Sequence, residues 1–345
     1  MTTPVQYKNS QDFDLLIENV SEVLAREGAL PSKSFELEVQ RSEKASSYDV
    51  NIVTVRFSEG GFRRFFMKDY GHSVRVKHDP EKRRDCEFGV YRDLLTLVSL
   101  GTARYLGSRW GSGQGEPERG EDATGGRRWL FLEYVPGTEV RNCRMPAWHA
   151  AVRWLGRMQG AFAQHGDALG RASFLERHDA AFFERTEMRA TDAVRHFDPM
   201  LEPRFDRIAE RYRSVHALMT EQPKTLVHGA YRPQNLLVRQ DSDPPAICVT
   251  DWERAALGST FFDFGCFAYG FESPELDHLW SSYEAGAKEY GMLVGTLDAA
   301  RPFLECIYLH RIVNWLAHSV QHSYKPATVE RLIALGERHS ETQAA

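Results

Sequence analysis

The chain has 345 residues, of which 42% are hydrophobic and 26% charged, and its formal net charge is −5. That composition suits a soluble globular protein large enough for two lobes, and the slightly acidic balance excludes a nucleic-acid partner. No apolar run reaches membrane-spanning length, Met1-Thr2-Thr3-Pro4 lacks a basic-then-apolar leader, and the five cysteines show no metal or disulfide spacing, so a cytoplasmic protein with no membrane partner is expected.

The N-terminal part opens with a helix. Phe13, Leu16, Ile17, Val20, Val23 and Leu24 recur at helical spacing between Asp12 and Arg26. Strand-like runs follow at Phe35–Gln40, Val50–Phe57 and Phe62–Met67, with Lys68 ending the third. A Ser-rich turn at 41–48, containing Ser46 and Ser47, separates the first two. A second helix begins after Asp79, a candidate N-cap, with Pro80 in its first turn. On it Glu87, Tyr91, Leu94 and Val98 share one face, so Glu87 lies among apolar residues, where an unpaired carboxylate is costly. Pairing with Lys68 would remove that cost. The stretch from Trp110 to Arg128 is rich in Gly, Glu and Arg and reads as a mobile hairpin loop, and an apolar strand from Trp129 then stops at Pro136-Gly137. The remainder is largely helical, with stripes in Ala147–His165, Phe205–Met219 and Arg301–Val320.

One segment carries more chemistry than the rest. His228-Gly229-Ala230-Tyr231-Arg232-Pro233-Gln234-Asn235 runs into Leu236-Leu237-Val238, and Ala246-Ile247-Cys248-Val249-Thr250 runs into Asp251-Trp252-Glu253. The turn-forming Asp241-Ser242-Asp243-Pro244-Pro245 between the apolar runs predicts a β-hairpin. A hairpin folds back on itself, so Asn235 entering and Asp251 leaving lie at the same end. An amide oxygen and a carboxylate brought together there form a hard-oxygen site suited to Mg²⁺.

The string H-G-A-Y-R-P-Q-N…D-W-E resembles the catalytic segment of the aminoglycoside-phosphotransferase family, H-G-D-x-x-x-x-N…[IV]-D-W-E, and parallels the protein-kinase loop H-R-D-x-K-P-x-N. His-Gly sets it apart from choline-kinase relatives, and Asp251-Trp252-Glu253 sets it apart from the D-F-G of protein kinases. The resemblance implies a bilobal α+β protein-kinase-like fold, with a β-rich nucleotide-binding lobe over residues 1–132 and a mostly helical catalytic lobe over 133–345. It also implies ATP or GTP with Mg²⁺ as cofactors and, as acceptor, a hydroxyl of a small molecule of the antibiotic or other natural-product kind; the sequence sets no oligomeric state.

The resemblance carries roles onto particular residues. Asn235 and Asp251 would hold metal, and Lys68, oriented by Glu87, would grip the phosphates. Ser46 and Ser47 occupy the place of a nucleotide loop. The strand before Pro136 resembles the hinge whose backbone binds adenine, with Phe131–Val135, Glu133 and Val135 among them, as contributors. Arg232 would neutralise the transferring phosphoryl group, His228 would brace the loop, and Asp263 resembles a structural Asp. Ala230 stands where the catalytic Asp belongs, and it has no proton acceptor; losing such a group costs about 10²–10⁴ in rate. Two explanations stay open: an engineered Asp→Ala change in an active kinase, favoured by the survival of Lys68, Glu87, Asn235 and Asp251, or a natural pseudokinase that binds without turnover. For the acceptor, Glu272, Asp277 and Glu305 offer charge, and Trp280, Tyr308 and Trp315 offer flat apolar surface.

Overall fold

The computed structural model describes residues 10–28, 35–42, 48–73, 79–110 and 128–341. It divides into two compact units, one of Met1–Arg84 with Thr102–Pro136 and one of Asp85–Gly101 with Gly137–Ala345. Helix α2 therefore begins in one unit and ends in the other.

The first unit is a sheet covered by a helix. Helix α1 (Ser10–Arg26) is followed by β1 (Phe35–Arg41), β2 (Tyr48–Phe57) and β3 (Phe62–Ser73), then by α2 (Pro80–Gly89) and the hairpin of β4 (Tyr105–Trp110) and β5 (Arg128–Glu133). The strands pair antiparallel in the order β1-β2-β3-β5-β4. Alternation puts Val53, Val55, Phe65 and Met67 on one face, where they bury against Leu16, Val20, Val23 and Leu24 of α1. That face draws on β-branched and aromatic residues, which fit a pleated half-buried surface.

Three expectations are corrected here. The third strand continues to Ser73, so Lys68 sits in mid-strand, paired with Val50 on β2 and Leu130 on β5. Asp79 has φ +50 rather than the extended backbone of an ordinary N-cap, although Pro80 does open the helix. After Gly89 the helix widens into a π-turn over Val90–Leu94, where the Leu95 N–H reaches back to the Val90 carbonyl at 2.9 Å. The wider turn keeps Glu87, Tyr91 and Leu94 buried but ends the helix before Val98, which is only half-buried.

The second unit is mostly helical. Its elements in order are β6 (Gly137–Glu139), α3 (Met145–Ala163), α4 (Gly166–Arg171), β7 (Glu176–Arg177), α5 (Ala180–Phe197), α6 (Glu202–Thr220), β8 (Lys224–Val227), β9 (Leu236–Arg239), β10 (Ile247–Val249), β11 (Ala256–Ser259), α7 (Phe261–Ala268), α8 (Glu275–Lys288), α9 (Leu297–Ala317) and α10 (Pro326–Glu341). Two small sheets, β10-β9-β6 and β7-β11-β8, flank the segment from His228 to Asp251. Helices α3 and α8 approach so closely that a Cβ on Gly286 would lie 2.0 Å from the Arg153 carbonyl oxygen. Among the described residues no helix is long and apolar enough to cross a membrane. All five cysteines are free thiols.

Candidate active site

The predicted hairpin forms. β9 and β10 pair antiparallel with Leu236 opposite Val249, and the next step along the ladder joins Asn235 to Thr250. The Asn235 carbonyl accepts from the Thr250 N–H at 3.0 Å and from its hydroxyl at 3.1 Å. Asn235 and Asp251 thus stand at one end of the ladder because a two-stranded fold-back returns the chain to its start. The Asn235 Nδ2 donates to the Ala230 carbonyl at 3.0 Å, which leaves Oδ1 as the atom that can ligate.

The loop before the hairpin is shaped by its backbone. Gly229 has φ +71, and a Cβ there would sit 2.0 Å from the Arg254 carbonyl oxygen. No other residue type fits both demands. Asp263, at the start of α7, accepts the His228 N–H at 2.6 Å and the Gly229 N–H at 3.0 Å. It is fully buried, and burial pushes its carboxyl up from 3.8 to about 7 against the pull of those two N–H bonds. His228 is also fully buried. Its Nε2 lies 2.9 Å from the Thr250 carbonyl and its Nδ1 accepts the Ala230 N–H at 3.3 Å, which fixes the neutral tautomer with the proton on Nε2. Burial lowers its imidazole to about 4. A neutral ring with both nitrogens engaged braces the loop and does not act as a base. Beneath it Tyr231 donates to the Ala151 carbonyl at 2.7 Å and stacks on Trp154. The side chain of residue 230 takes no part in any of these bonds.

Asp251 takes φ +67, uncommon for a residue with a side chain and frequent at functional sites. Its carboxylate meets two others. Ligand oxygens of Glu87, Asp251 and Glu253 all lie within 4.8 Å of one another, with Glu87 and Glu253 buried. Helix α2 delivers Glu87 there, and the neighbouring Cys86 thiol donates to the Trp252 and Ala255 carbonyls at 3.5 and 3.3 Å. The Tyr91 hydroxyl, buried with no hydrogen-bond partner among the described residues, is held protonated by burial first and then by the charges of Glu87 and Asp251. Three clustered carboxylates of hard oxygen fit a divalent cation such as Mg²⁺. Sequence reasoning assigned Glu87 to Lys68 and gave Glu253 no role, although Glu253 closes the D-W-E string. Glu87 and Asp251 are 164 positions apart, and no sequence pattern relates a helix residue to a loop partner at that separation.

The other predicted residues fall as follows. Lys68 is buried with its amine 5.6 Å and 5.5 Å from the ring centroids of Tyr48 and Tyr70. Neither tyrosine was anticipated; Tyr70 lies two residues along the same strand face, a signal that was available. Ser46 and Ser47, and most of the predicted mobile loop after Trp110, lie outside the described residues. Glu133 ends β5 and accepts the Arg104 N–H at 3.1 Å, while the strand stops there rather than at Pro136. Val135 is half-buried, and among the described residues its backbone makes no hydrogen bond. Arg232 is half-buried and its guanidinium has no hydrogen bond or ion pair among the described residues.

The acceptor candidates separate. Trp280 is 4% exposed, packs on Phe261, Phe264 and Tyr283, and donates to the Gly295 carbonyl, so it is core and offers no open ring face. Glu272, just before α8, and Asp277, in its first turn, are exposed with no hydrogen bond or ion pair to the α9 residues among the described residues. Glu305, Tyr308 and Trp315 share α9. Glu305 Oε2 is 3.4 Å from His339 Nδ1, and the rings of Tyr308 and Trp315 both contact Tyr269, at 5.1 and 5.9 Å.

The sequence model of the phosphotransferase enzyme family matches residues 54–303. The chain belongs to this family. Solved structures agree on the fold. The GDP and kanamycin complex of the aminoglycoside phosphotransferase APH(2")-IIIa is 12% identical, with a TM-score of 0.62 over 95% of this chain and 99% of its own. A putative aminoglycoside phosphotransferase from Ralstonia eutropha is 16% identical, with a TM-score of 0.59 over 94% and 98%. The macrolide 2'-phosphotransferase MphH from Brachybacterium faecium is 14% identical, with a TM-score of 0.54 over 92% and 97%. Comparison with curated proteins finds no match. The family and these likenesses bear out the α+β protein-kinase-like fold.

Proposed function

We propose that the chain is built as a nucleotide- and Mg²⁺-dependent O-phosphotransferase for a hydroxyl of a small molecule, and that Ala230 impairs the proton-transfer step. The observation that carries this reading is the return of Asn235 and Asp251 to one end of the hairpin, with Glu87 and Glu253 beside Asp251. Asn235 and Asp251 would hold the metal, joined by a further carboxylate of the cluster. The metal supplies neutralisation of phosphate charge. Lys68 and the backbone of Glu133–Val135 would bind nucleotide, and the guanidinium of Arg232, which has no ion pair among the described residues, would meet the transferring group. GDP and kanamycin in one neighbouring complex support a nucleotide and a hydroxylated acceptor as the ligand classes.

Residue 230 decides between two readings. The loop's hydrogen bonds come from His228, Asn235 and Asp263 and none uses the Ala230 side chain. A carboxylate restored there would need no rebuilding of the loop. Ala230→Asp is therefore expected to raise transfer by about 10² or more across a broad acceptor screen. The pseudokinase reading, favoured by the Ala itself, predicts no gain with any acceptor. Calorimetry of the unaltered chain with ATP and with GTP, with and without Mg²⁺, tests what the two share: absence of binding by both nucleotides overturns both.

A further inference from the structure

Helix α7 carries Asp263 against the catalytic loop at its start and Tyr269 just past its end. Six residues at about 1.5 Å each place Tyr269 about 9 Å along the axis from that brace. There the guanidinium of Arg311 lies 4.8 Å from the ring centroids of both Tyr269 and Trp315, and its Nη1 donates to the Cys266 carbonyl. Tyr269, Arg311, Trp315 and Cys266 are all half-exposed. The arginine is thus oriented by two rings and a carbonyl on a surface that solvent reaches.

Its charge is not matched. Arg311 forms no ion pair among the described residues, and its Nε is buried without a hydrogen-bond partner. Half-burying a cation is costly unless an anion or ring faces compensate, and rings compensate only in part. The surroundings add positive charge. Tyr269 is raised above its ordinary value by burial, and Arg311 and Arg338 pull it down more than Glu305 pushes it up. At Cys266 burial dominates again and raises the thiol, Arg311 lowers it, Asp263 raises it and Arg232 lowers it, so the guanidinium of the loop at 228–235 belongs to the same field, with the buried Asp263 as its acid. Of the acidic candidates, Glu305 is engaged with His339, while Glu272 and Asp277 stand apart, just before α8 and in its first turn.

We propose that the face formed by Tyr269, Arg311 and Trp315 recognises the acceptor, and that it selects a ring-bearing hydroxyl compound with a carboxylate or equivalent anionic group rather than a polycation. The rings supply flat contact, and the end of the Arg311 guanidinium that does not bond the Cys266 carbonyl pairs with the anion. This deepens the kinase reading and rests on it.

The test is ligand-observed NMR on the full chain with three matched probes: 4-(hydroxymethyl)benzoate, 4-(hydroxymethyl)benzamide and 4-(hydroxymethyl)benzylamine. The benzoate is expected to bind about tenfold or more tighter than the benzylamine, with the amide between them. Arg311→Gln should erase the benzoate's advantage and Arg311→Lys should keep part of it, with thermal melting recorded for each. Equal or better binding of the benzylamine, a preference that survives Arg311→Gln in a folded protein, or no binding by any probe overturns the proposal. Mg-nucleotide binding is measured in the same samples. Its loss with the anion preference intact would sink the kinase reading and with it the assignment of this face to an acceptor, whereas its retention with no preference would sink only the anion proposal.

Discussion

Gly229 and Asp263 hold the loop at 228–235 from two sides. Ala at 229 would take up a left-handed backbone costing about 1–3 kcal/mol and would still meet the Arg254 carbonyl. Gly229→Ala is expected to lower the melting temperature clearly and to weaken metal-dependent nucleotide binding; an unchanged melt would show that the loop relaxes freely. The buried acid and imidazole beside it have opposite linkage. Asp263 binds its proton more tightly folded (about 7) than unfolded (3.8), so its contribution is full below the unfolded value and is lost as pH rises toward 7. His228 binds its proton less tightly folded (about 4) than unfolded (6.5), so its contribution is full above 6.5 and is lost as pH falls through 4. Between these values the two slopes oppose one another. Asp263→Asn removes one and unmasks the other, so denaturant melts of that variant should show stability rising with pH from about 4 to 6.5 more steeply than in the parent. Superimposable pH profiles would show that these two groups are not the ones titrating.

At the scale of the element, the β9–β10 hairpin makes a sharper distinction. Asp251 offers its carboxylate to the cluster with Glu87 and Glu253, whereas both Asp263 oxygens are spent on backbone N–H groups. Asp251→Asn should therefore abolish Mg²⁺-dependent nucleotide binding, and Asp263→Asn should weaken it less at equal stability. Equal loss of Mg²⁺ affinity, read by calorimetry, would reverse the assignment. The hairpin was legible in the sequence because turn residues punctuate two short apolar runs, and period and punctuation are local properties. The end of β3 was not: Asp69, Tyr70 and His72 weaken an apolar strand pattern, but β2 supplies partners as far as Ser73 and tertiary pairing wins over composition. The π-turn after Gly89 was equally hidden, since the helical spacing of Glu87, Tyr91 and Leu94 reads the same with or without one extra residue per turn. Trp280 shows the limit for single side chains. An aromatic residue on an amphipathic helix looks alike whether its ring faces a ligand or Phe261 and Phe264, and only packing tells them apart.

For the whole molecule, the family and the fold followed from one short string, but the charge distribution around Tyr269, Arg311 and Trp315 did not. Arg232 and Arg311 are 79 positions apart, and no sequence pattern relates them; α7 does, by linking the loop at 228–235 to α9. Ligand binding to the folded chain adds RT ln(1 + [L]/Kd) of stability, about 2.7 kcal/mol at about 100 times Kd. A melt of the unaltered Ala230 chain should accordingly shift upward by a few degrees with ATP or GTP at that concentration in Mg²⁺. The shift should vanish when the metal is chelated, and it should persist in Ala230→Asp, because residue 230 contributes nothing to the loop's own hydrogen bonds. A nucleotide shift indifferent to chelation would leave the carboxylate cluster at Asp251 without its metal role, and a shift seen only in Ala230→Asp would mean that the missing carboxylate builds the site rather than working within it.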